Sequence, residues 1–359
     1  MKSNANIANM KKWLLVAGVA TTVGFSAHVA FSQPDTPTKM GDPNTPVNDL
    51  PTPYKTVRDW GELPPGMTKW PAVTAVEASP DGKYIYVVER CNANSCAGRS
   101  EPPIIKYDRA GKIVATFGQG MFLFPHGAGI DPQGNLWVTD AQGKDGKGQQ
   151  VFKFSPEGKV LMTLGEAGVA GTDETHFNLP TSVAIAPNGD IFVADGHREQ
   201  GNNRIVVFSK DGKFKRTFGQ KGSGPGDIHE PHSIAFDTEG RLFVADRVNN
   251  RLEIFTQDGK FIAEWYQFGR PSGIYITKDD TLYVADSESG PDTGAKEIGG
   301  WKKGIRIGSA KTGKVTAFIE DMEPLTKDHS GAEGVGVDLD GNVYGAVVRR
   351  QMLEKHIKQ

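Results

Sequence analysis

Three side chains of this 359-residue chain could bind one metal ion together, namely His126, His232 and Glu333. Each stands eight residues before the turn residue of a recurring hairpin phrase, so the three occupy equivalent positions in a repeat. Two imidazoles and a carboxylate, with a fourth position open to water or substrate, match the ligand sets of catalytic zinc sites. Such a metal would polarise a bound oxygen or lower its pKa. The alternative is a wet, purely structural polar ring, because histidines in strand-entry loops are often packed or hydrogen-bonded residues.

Three further residues could act on a substrate beside this metal. Arg90 and Arg247 each follow a second strand of the repeat, and their guanidinium groups could grip a substrate carboxylate. His197 also follows a second strand and could transfer a proton, although a solvated loop histidine is the alternative. Four aspartates close second strands at one shared offset: Asp140, Asp195, Asp246 and Asp286. Their repetition favours a structural role, in which each carboxylate binds backbone amides of a turn.

The elements that position these residues are six copies of one phrase. Each copy has a small or polar residue, a short alternating strand, a turn that mostly ends in glycine, and a second strand, which is a β-hairpin signature. The copies begin at Val73, Pro125, Pro180, Pro231, Pro271 and Ala332. A third strand and another turn follow most copies, as in RIVVFSKDGKFKRTFG (204–219). Four strands in each of six units predict an all-β fold, the six-bladed β-propeller.

A propeller must also close its ring, or its first and last blades expose unpaired edges. After the sixth copy only QMLEKHI (351–357) remains as a third strand, so we expect YKTVRDW (54–60) to supply the outer strand of the last blade. The repeats resemble NHL repeats over residues 54–357. The propeller domain is therefore predicted to span residues 54–359.

Rotational equivalence is the reason to group the candidate ligands. Aligning the six copies on their turns and counting back eight residues gives Thr74, His126, Thr181, His232, Ser272 and Glu333. In a propeller these residues would surround one mouth of the central channel, about 60° apart. The three possible ligands fall in alternate blades, about 120° apart, with small hydroxyl residues between them.

The N-terminal segment predicts export. Lys2, Lys11 and Lys12 precede an almost uncharged run from Trp13 to Ala30, which is typical of a secretory signal peptide over residues 1–32. Cleavage is expected before Gln33, and a retained membrane anchor is the alternative. Residues 33–53 are rich in Pro, Thr, Asp and Asn and are expected to form a flexible linker. The mature protein is then expected in the periplasm or outside the cell, without membrane attachment.

Composition narrows the partners further. The formal charge of −2, without a basic stripe, gives no indication of nucleic-acid binding. We expect a monomer that takes a small molecule or a peptide as substrate. Cys91 and Cys96, with four residues between them, could form a disulfide in an oxidising compartment; a metal clip is less favoured, because two thiolates do not complete a tetrahedral site.

A sharper resemblance comes from three motifs: PHG at 125–127, ETHFNLPTSVAIAPNGDIFVADG at 174–196, and PHSIAFDTEGRLFVADRVNNR at 231–251. They resemble the peptidyl-α-hydroxyglycine α-amidating lyases, a group of NHL propellers. The resemblance implies a zinc ion held by three histidines, an arginine and a tyrosine at the reacting centre, and cleavage of a hydroxyglycine N–C bond to an amide and glyoxylate. It places two zinc ligands at His126 and His232, and the arginines at Arg90 and Arg247.

The chain departs from the family's pattern at three positions. Glu333 replaces the third histidine, although glutamate can also bind zinc. His197, with a few inserted residues, takes the place of the tyrosine, and Gly334 takes that of the aspartate that binds calcium, so the sequence gives no basis for calcium. His329, four residues before Glu333, is an alternative third ligand.

Two functions follow from these residues. The first is a metal-dependent enzyme of lyase or hydrolase type, acting on a small hydroxylated or acyl substrate. The second is a propeller scaffold that binds a protein or small ligand without catalysis, since propellers host both classes. The sequence contains no phosphate-binding glycine loop, no GxSxG nucleophile motif and no haem-attachment motif, which excludes those catalytic classes.

Overall fold

The computed structural model describes residues 38–64, 66–290, 300–326 and 331–359. Within these ranges the regular elements are 25 β-strands, and the strands form six sheets. The predicted signal peptide and His329 lie outside the described residues. Among the residues described, no helix has the length and apolar character needed to cross a membrane.

Each sheet is one blade of a β-propeller. The innermost strands are β3 (Val73–Ala78), β7 (Pro125–Ile130), β11 (Pro180–Ile185), β15 (Pro231–Phe236), β19 (Gly273–Ile276) and β23 (Ala332–Val337). The second strands are β4 (Tyr84–Glu89), β8 (Leu136–Lys144), β12 (Ile191–Asp195), β16 (Leu242–Asp246), β20 (Thr281–Asp286) and β24 (Val343–Val347). The third strands are β5 (Ile104–Asp108), β9 (Lys147–Phe154), β13 (Arg204–Phe208), β17 (Arg251–Phe255), β21 (Gly304–Ser309) and β25 (Met352–Lys358). The fourth strands are β6 (Ile113–Phe117), β10 (Val160–Leu164), β14 (Phe214–Phe218), β18 (Phe261–Trp265), β22 (Val315–Glu320) and β2 (Tyr54–Val57).

The innermost strands form a ring around the central channel. Each contacts the innermost strand of the next blade, and β23 contacts β3. In the last blade, β2 pairs antiparallel with β25, with Tyr54 opposite Lys358 and Val57 opposite Lys355. The predicted six-bladed, all-β propeller is therefore confirmed.

Hydrophobic contacts between neighbouring blades hold the ring together. Six clusters of buried side chains are present in the described part of the chain, and each joins two adjacent blades. Between the last and first blades, for example, Tyr344 and Leu353 pack with Val76, Val87 and Tyr107. Alternating strand residues point to opposite faces, so each blade can contribute one face to each of two clusters. The interior is thus six small cores in a ring rather than one.

The turn between the first and second strands shows why the repeat tolerates one exception. Five of the six turn residues are glycines with positive φ, and the sixth is Asp280, with φ of 61°. Aspartate tolerates this left-handed conformation better than most residues. Its carboxylate also accepts a hydrogen bond of 2.8 Å from the backbone N–H of Thr238 in the preceding blade.

The lead-in before the propeller differs from the prediction. Residues 38–53, expected to be flexible, run along the outside of the ring, where β1 (Thr38–Met40) pairs in parallel with β18. Asn48 donates to the carbonyl of Gly300 at 2.7 Å, and Arg306 Nε donates to the carbonyl of Val47 at 3.0 Å. The open edge of an outer strand offers unpaired backbone groups, and the lead-in satisfies some of them.

Candidate active site

The six equivalent residues at the channel mouth, here called the mouth ring, are Thr74, His126, Thr181, His232, Ser272 and Glu333. In five of the six blades the pairing of the first and second strands shifts register at this residue, as where Val73 faces Glu89 and Ala75 faces Val88. Such β-bulges re-aim a side chain that regular pairing would direct elsewhere. The same β-bulge therefore occurs at five of the six mouth-ring positions, where the candidate site lies.

Three histidines converge at this mouth. The ring centroids of His126 and His232 are 4.6 Å apart, and the ring of His197 lies 4.8 Å from the first and 5.4 Å from the second. One ligand atom from each histidine lies within 4.8 Å of the others, and all three side chains are buried. His197 follows β12 in the third blade, between the blades of His126 and His232, and can therefore approach both.

Backbone carbonyls fix the orientation of two of these rings. Nδ1 of His126 lies 2.9 Å from the carbonyl oxygen of Thr181, and Nδ1 of His232 lies 2.9 Å from that of Ser272. A carbonyl can only accept, so in both rings Nδ1 carries the hydrogen and Nε2 keeps a lone pair. Both Nε2 atoms are buried without a hydrogen-bond partner among the described residues, and so is Nδ1 of His197.

Close backbone approach makes the first of these hydrogen bonds possible. Gly127 follows His126, and a Cβ atom at this position would lie 2.2 Å from the carbonyl oxygen of Thr181. That oxygen is the acceptor for His126 Nδ1. Glycine at 127 thus lets β7 and β11 come close enough for the carbonyl to hold the imidazole.

The histidines are neutral at ordinary pH. Burial lowers the pKa of all three well below its usual value, because the charged form loses hydration. The positive charge of Arg90 adds to this effect on His126, and that of Arg247 on His232. Three unprotonated imidazoles with inward lone pairs are a set of metal ligands.

Glu333 does not belong to the group of three side chains whose ligand atoms lie within 4.8 Å of one another; that group joins His197 to the predicted His126 and His232. The negative charge of Glu333 favours the charged forms of Arg90 and Arg247, against the effect of burial on both. Glu333 also lines the same pocket as these two arginines. A carboxylate is stabilised beside two guanidinium groups, and the histidine from the neighbouring loop approaches the other two imidazoles. The structure therefore brings His197, predicted as a proton carrier, close to the other two imidazoles, while Glu333 stays at its predicted place in the mouth ring and also lines the pocket of the two arginines.

Arg90 is held beside the histidines from three sides. Its guanidinium carbon lies 3.7 Å from the centroid of the Phe124 ring, Nε donates to the carbonyl of Pro125 at 3.2 Å, and Nη1 donates to Oδ1 of Asn94 at 2.7 Å. Asn94 lies in the loop closed by the Cys91–Cys96 disulfide, which confirms the predicted pairing of the cysteines. Burial lowers the pKa of Arg90 to about 10, so the group stays charged at neutral pH.

Arg247 enters from the fourth blade and is paired with carboxylates. Its Nη2 lies 2.7 Å from Glu230 and its Nη1 3.4 Å from Glu288. Burial opposes the charge, but Glu288 and Glu230 outweigh it and raise the pKa of the guanidinium. The structure thus brings both predicted arginines to the mouth. Arg247 is paired with two carboxylates, whereas Arg90 has no carboxylate within ion-pair distance among the described residues.

The four repeated aspartates have the predicted structural role. Asp140 accepts hydrogen bonds from the backbone N–H groups of Leu123 and Phe124, just before His126. Asp195 and Asp246 each bind a backbone amide and the Nε of an arginine in the next strand. These carboxylates fix the loops that enter the mouth, so the prediction is confirmed.

Several residues of the site were not found from the sequence. Phe124, Asn94, Glu230 and Glu288 shape the pocket around the arginines. Phe124 carried a usable signal, since it stands two residues before His126. Glu230 carried the same signal, since it stands two residues before His232, whereas Glu288 carried none, because it reaches Arg247 from the next blade.

The histidine cluster fits the metal that the sequence predicted. Buried polar atoms without partners are costly, and three of them point into one small volume. The carbonyl partners of His126 and His232 are the outer hydrogen bonds that ligating imidazoles usually make. Three histidines are one of the protein ligand sets of catalytic zinc, whose fourth position takes water or substrate.

Comparisons with known proteins agree with this fold. A family model described as a 6-bladed beta-propeller matches residues 171–241, and one described as an NHL repeat matches residues 229–255. The mouse peptidyl-glycine alpha-amidating monooxygenase is 42% identical over 144 residues, which are 38% of this chain and 14% of that protein. Peptidyl-alpha-hydroxyglycine alpha-amidating lyase 2 of Drosophila melanogaster is 32% identical over 219 residues, which are 56% of this chain and 51% of that protein.

The matched stretches therefore span about half of these relatives' length or less. A solved streptogramin B lyase superposes with a TM-score of 0.53 at 16% identity, covering 85% of this chain and 98% of that one, which shows the shared fold alone. The chain is thus a six-bladed propeller with an NHL repeat, and its sequence resembles the α-amidating lyases.

Proposed function

We propose that this protein is an exported, metal-dependent lyase that cleaves the N–C bond of an α-hydroxyglycine-type substrate. The observation that carries the proposal is the convergence of three unprotonated imidazoles, with unpartnered ring nitrogens, beside two buried arginines. The resemblance to proteins named as peptidyl-alpha-hydroxyglycine alpha-amidating lyases supplies the reaction class. The disulfide at Cys91–Cys96 supports an oxidising compartment.

His126, His197 and His232 would hold the metal, and zinc suits three neutral imidazoles best. When bound, zinc supplies a Lewis acid that polarises an oxygen of the substrate. This assignment gives His197 the role of third ligand in place of the proton carrier predicted from the sequence.

The remaining residues would position the substrate and move protons. Arg90, which is charged and has no carboxylate within ion-pair distance among the described residues, would bind the carboxylate of the substrate. Arg247, already held by two glutamates, would attract the carboxylate of Glu333 and help to hold it in place. Glu333 acts electrostatically on both arginines and lines the same pocket, so it is our candidate proton carrier.

The reaction then balances without an added reactant. The substrate hydroxyl gives its proton to Glu333 while its oxygen forms the new carbonyl of glyoxylate. The electron pair of the breaking C–N bond moves to nitrogen, which takes a proton back and leaves as the amide. Neutral imidazoles and a nearby carboxylate allow this exchange at neutral pH.

Metal analysis of protein purified without chelator tests the site. We expect near-stoichiometric zinc in the wild type and its loss in His126→Ala, with unchanged circular dichroism. His176→Ala is the matched control, since His176 lies on the surface between Glu166 and Asp173. Absence of metal in the wild type, or equal loss in both variants, would contradict the proposal.

Release of glyoxylate from an N-acyl-α-hydroxyglycine tests the reaction. We expect release by the zinc-loaded wild type and its loss in Glu333→Gln, with zinc content retained. Zinc without any glyoxylate release would leave the metal assignment standing and favour the scaffold alternative.

A further inference from the structure

Two arginines flank one aromatic ring at the pocket wall. The guanidinium carbon of Arg90 lies 3.7 Å from the centroid of Phe124, and that of Arg198 lies 5.8 Å from the same centroid. The Phe124 ring is itself 6.3 Å from the rings of His126 and His197. Both guanidinium groups therefore lie around the ring that neighbours two of the candidate metal ligands, and both charges act on His126.

These two arginines have no neutralising carboxylate at contact distance within the described residues. Arg90 bonds to a backbone carbonyl and to the Asn94 amide, and Arg198 contacts the aromatic ring alone. Each lowers the pKa of His126, and Arg198 lowers that of Arg90, as converging like charges do. Arg247, in contrast, has Glu230 and Glu288. Unbalanced positive charge therefore belongs to the Arg90–Arg198 side of the pocket.

The backbone holds Arg198 in this place. The residue has φ of 63°, a left-handed conformation that is uncommon for arginine, and it immediately follows His197. On its other side, Glu199 forms ion pairs with Lys221 and with His229, which anchors the loop to the next blade. Arg198 is exposed but is attached to the same loop as a buried site histidine.

The charge of the whole pocket agrees with this asymmetry. The charged residues that line it, apart from the neutral histidine, are Arg90, Arg198, Arg247, Arg349, Glu288 and Glu333. Four arginines against two glutamates leave a formal charge of +2 before any metal is counted, and Glu230 and Arg270, which pair with Arg247 and Glu288 from behind the lining, cancel each other. A substrate with one carboxylate would leave part of this charge unpaired, whereas a dianion would balance it.

We propose that Arg90 and Arg198 form an anion clamp around Phe124 that makes the site specific for dicarboxylate substrates, such as an N-acyl-α-hydroxyglycine whose acyl part carries a second carboxylate. The inference rests on the proposed function for the identity of the scissile bond. The clamp itself requires only that the two guanidinium groups share the two carboxylates, with Arg90 on that of the glycine part and Arg198 on the second one.

The test uses unreactive glycine analogues, so it does not depend on turnover. Isothermal titration calorimetry of the zinc-loaded protein would compare N-succinylglycine, a dianion, with N-acetylglycine, a monoanion. We expect the dianion to bind at least about tenfold more tightly in the wild type. Arg198→Gln should remove most of that difference, and Arg198→Lys should keep part of it, since lysine retains the charge without the planar fork.

Arg216→Gln is the matched control. Arg216 also stands 5.8 Å from a phenylalanine centroid, that of Phe192, but it does not line this pocket. It should leave the ratio of the two affinities unchanged. Equal binding of both analogues by the wild type, or an equal change of the ratio in Arg198→Gln and Arg216→Gln, would overturn the clamp. Selective binding without glyoxylate release would overturn the lyase proposal and leave the clamp standing.

Discussion

The central channel has six equivalent positions at each of two depths, but the two sets of positions carry different chemistry. Three residues further along each inner strand from the mouth ring is a second set, here called the deep ring: Glu77, Gly129, Ala184, Ala235, Tyr275 and Gly336. The mouth ring carries two of the three converging histidines, while the deep ring has a single carboxylate without an ion pair among the described residues. Rotational symmetry supplies six equivalent places at each depth, and the residues placed there decide which depth can hold a site.

The two depths also differ in how burial changes the pKa values of their titratable side chains. At the mouth, burial keeps the histidines neutral, and a neutral imidazole is ready to bind a metal. In the deep ring, burial raises the pKa of Glu77 to about 8, so its carboxyl group stays protonated at neutral pH. The same loss of hydration thus produces a ligand set at one depth and an uncharged wall at the other.

The largest expected effect is on zinc affinity, and it tests whether His197 or Glu333 is the third ligand. His197→Ala should weaken zinc binding by at least about 100-fold, since even outer partners of a zinc ligand are worth up to that much. Glu333→Gln should change zinc affinity little, because Glu333 does not belong to the cluster. Competition titration with a zinc chelator measures both. Loss of zinc in Glu333→Gln with retention in His197→Ala would restore the ligand set predicted from the sequence.

Variants of two glycines distinguish an effect on strand packing from an effect on the candidate metal site. A Cβ atom at Gly127 would meet the carbonyl oxygen of Thr181 at 2.2 Å, and one at Gly129 would meet that of Val183 at 2.4 Å. We expect Gly127→Ala and Gly129→Ala each to destabilise the fold by about 1–3 kcal/mol in urea unfolding. Only Gly127→Ala should also weaken zinc binding, because Thr181 orients His126. Equal zinc affinity in the two variants would show that this carbonyl does not matter for the site.

The deep ring predicts a pH effect that the mouth ring does not share. The pKa of Glu77 is raised in the folded protein, so its contribution to stability is complete below pH about 4.5 and is lost as the pH rises through about 8. Glu77→Gln should therefore melt like the wild type near pH 5 and be more stable at pH 9, by roughly 1 kcal/mol because residue 77 is partly exposed. Melting curves at both pH values measure this. A difference that is largest at pH 5 would contradict it.

The smallest expected effect is at a hydroxyl position of the mouth ring. Thr74 is buried and donates to the carbonyl of Val88 at 3.3 Å, which is a weak hydrogen bond. Thr74→Val should cost less than about 1 kcal/mol in urea unfolding and leave zinc content unchanged. A loss of zinc in this variant would mean that the hydroxyl residues take part in the site.

The repeated hairpins were enough to predict the propeller. Strand alternation, turn glycines and six equal copies are local features, and only one closed architecture buries both faces of six such sheets. The same local logic found His126, His232, Arg90 and Arg247, because equivalent positions in a repeat must meet around one axis. It also identified the repeated aspartates as structural.

What the tertiary structure decided is which third side chain comes close to His126 and His232, and the charge around these residues. Symmetry indicated Glu333, but symmetry places Cα atoms and not the ends of side chains. The bulge at each mouth residue, the Gly127 approach that lets Thr181 hold His126, and the attraction of Glu333 to two arginines all arise between distant parts of the chain. His197 reaches the cluster from a loop whose path no repeat position specifies, so only the folded chain could bring it there.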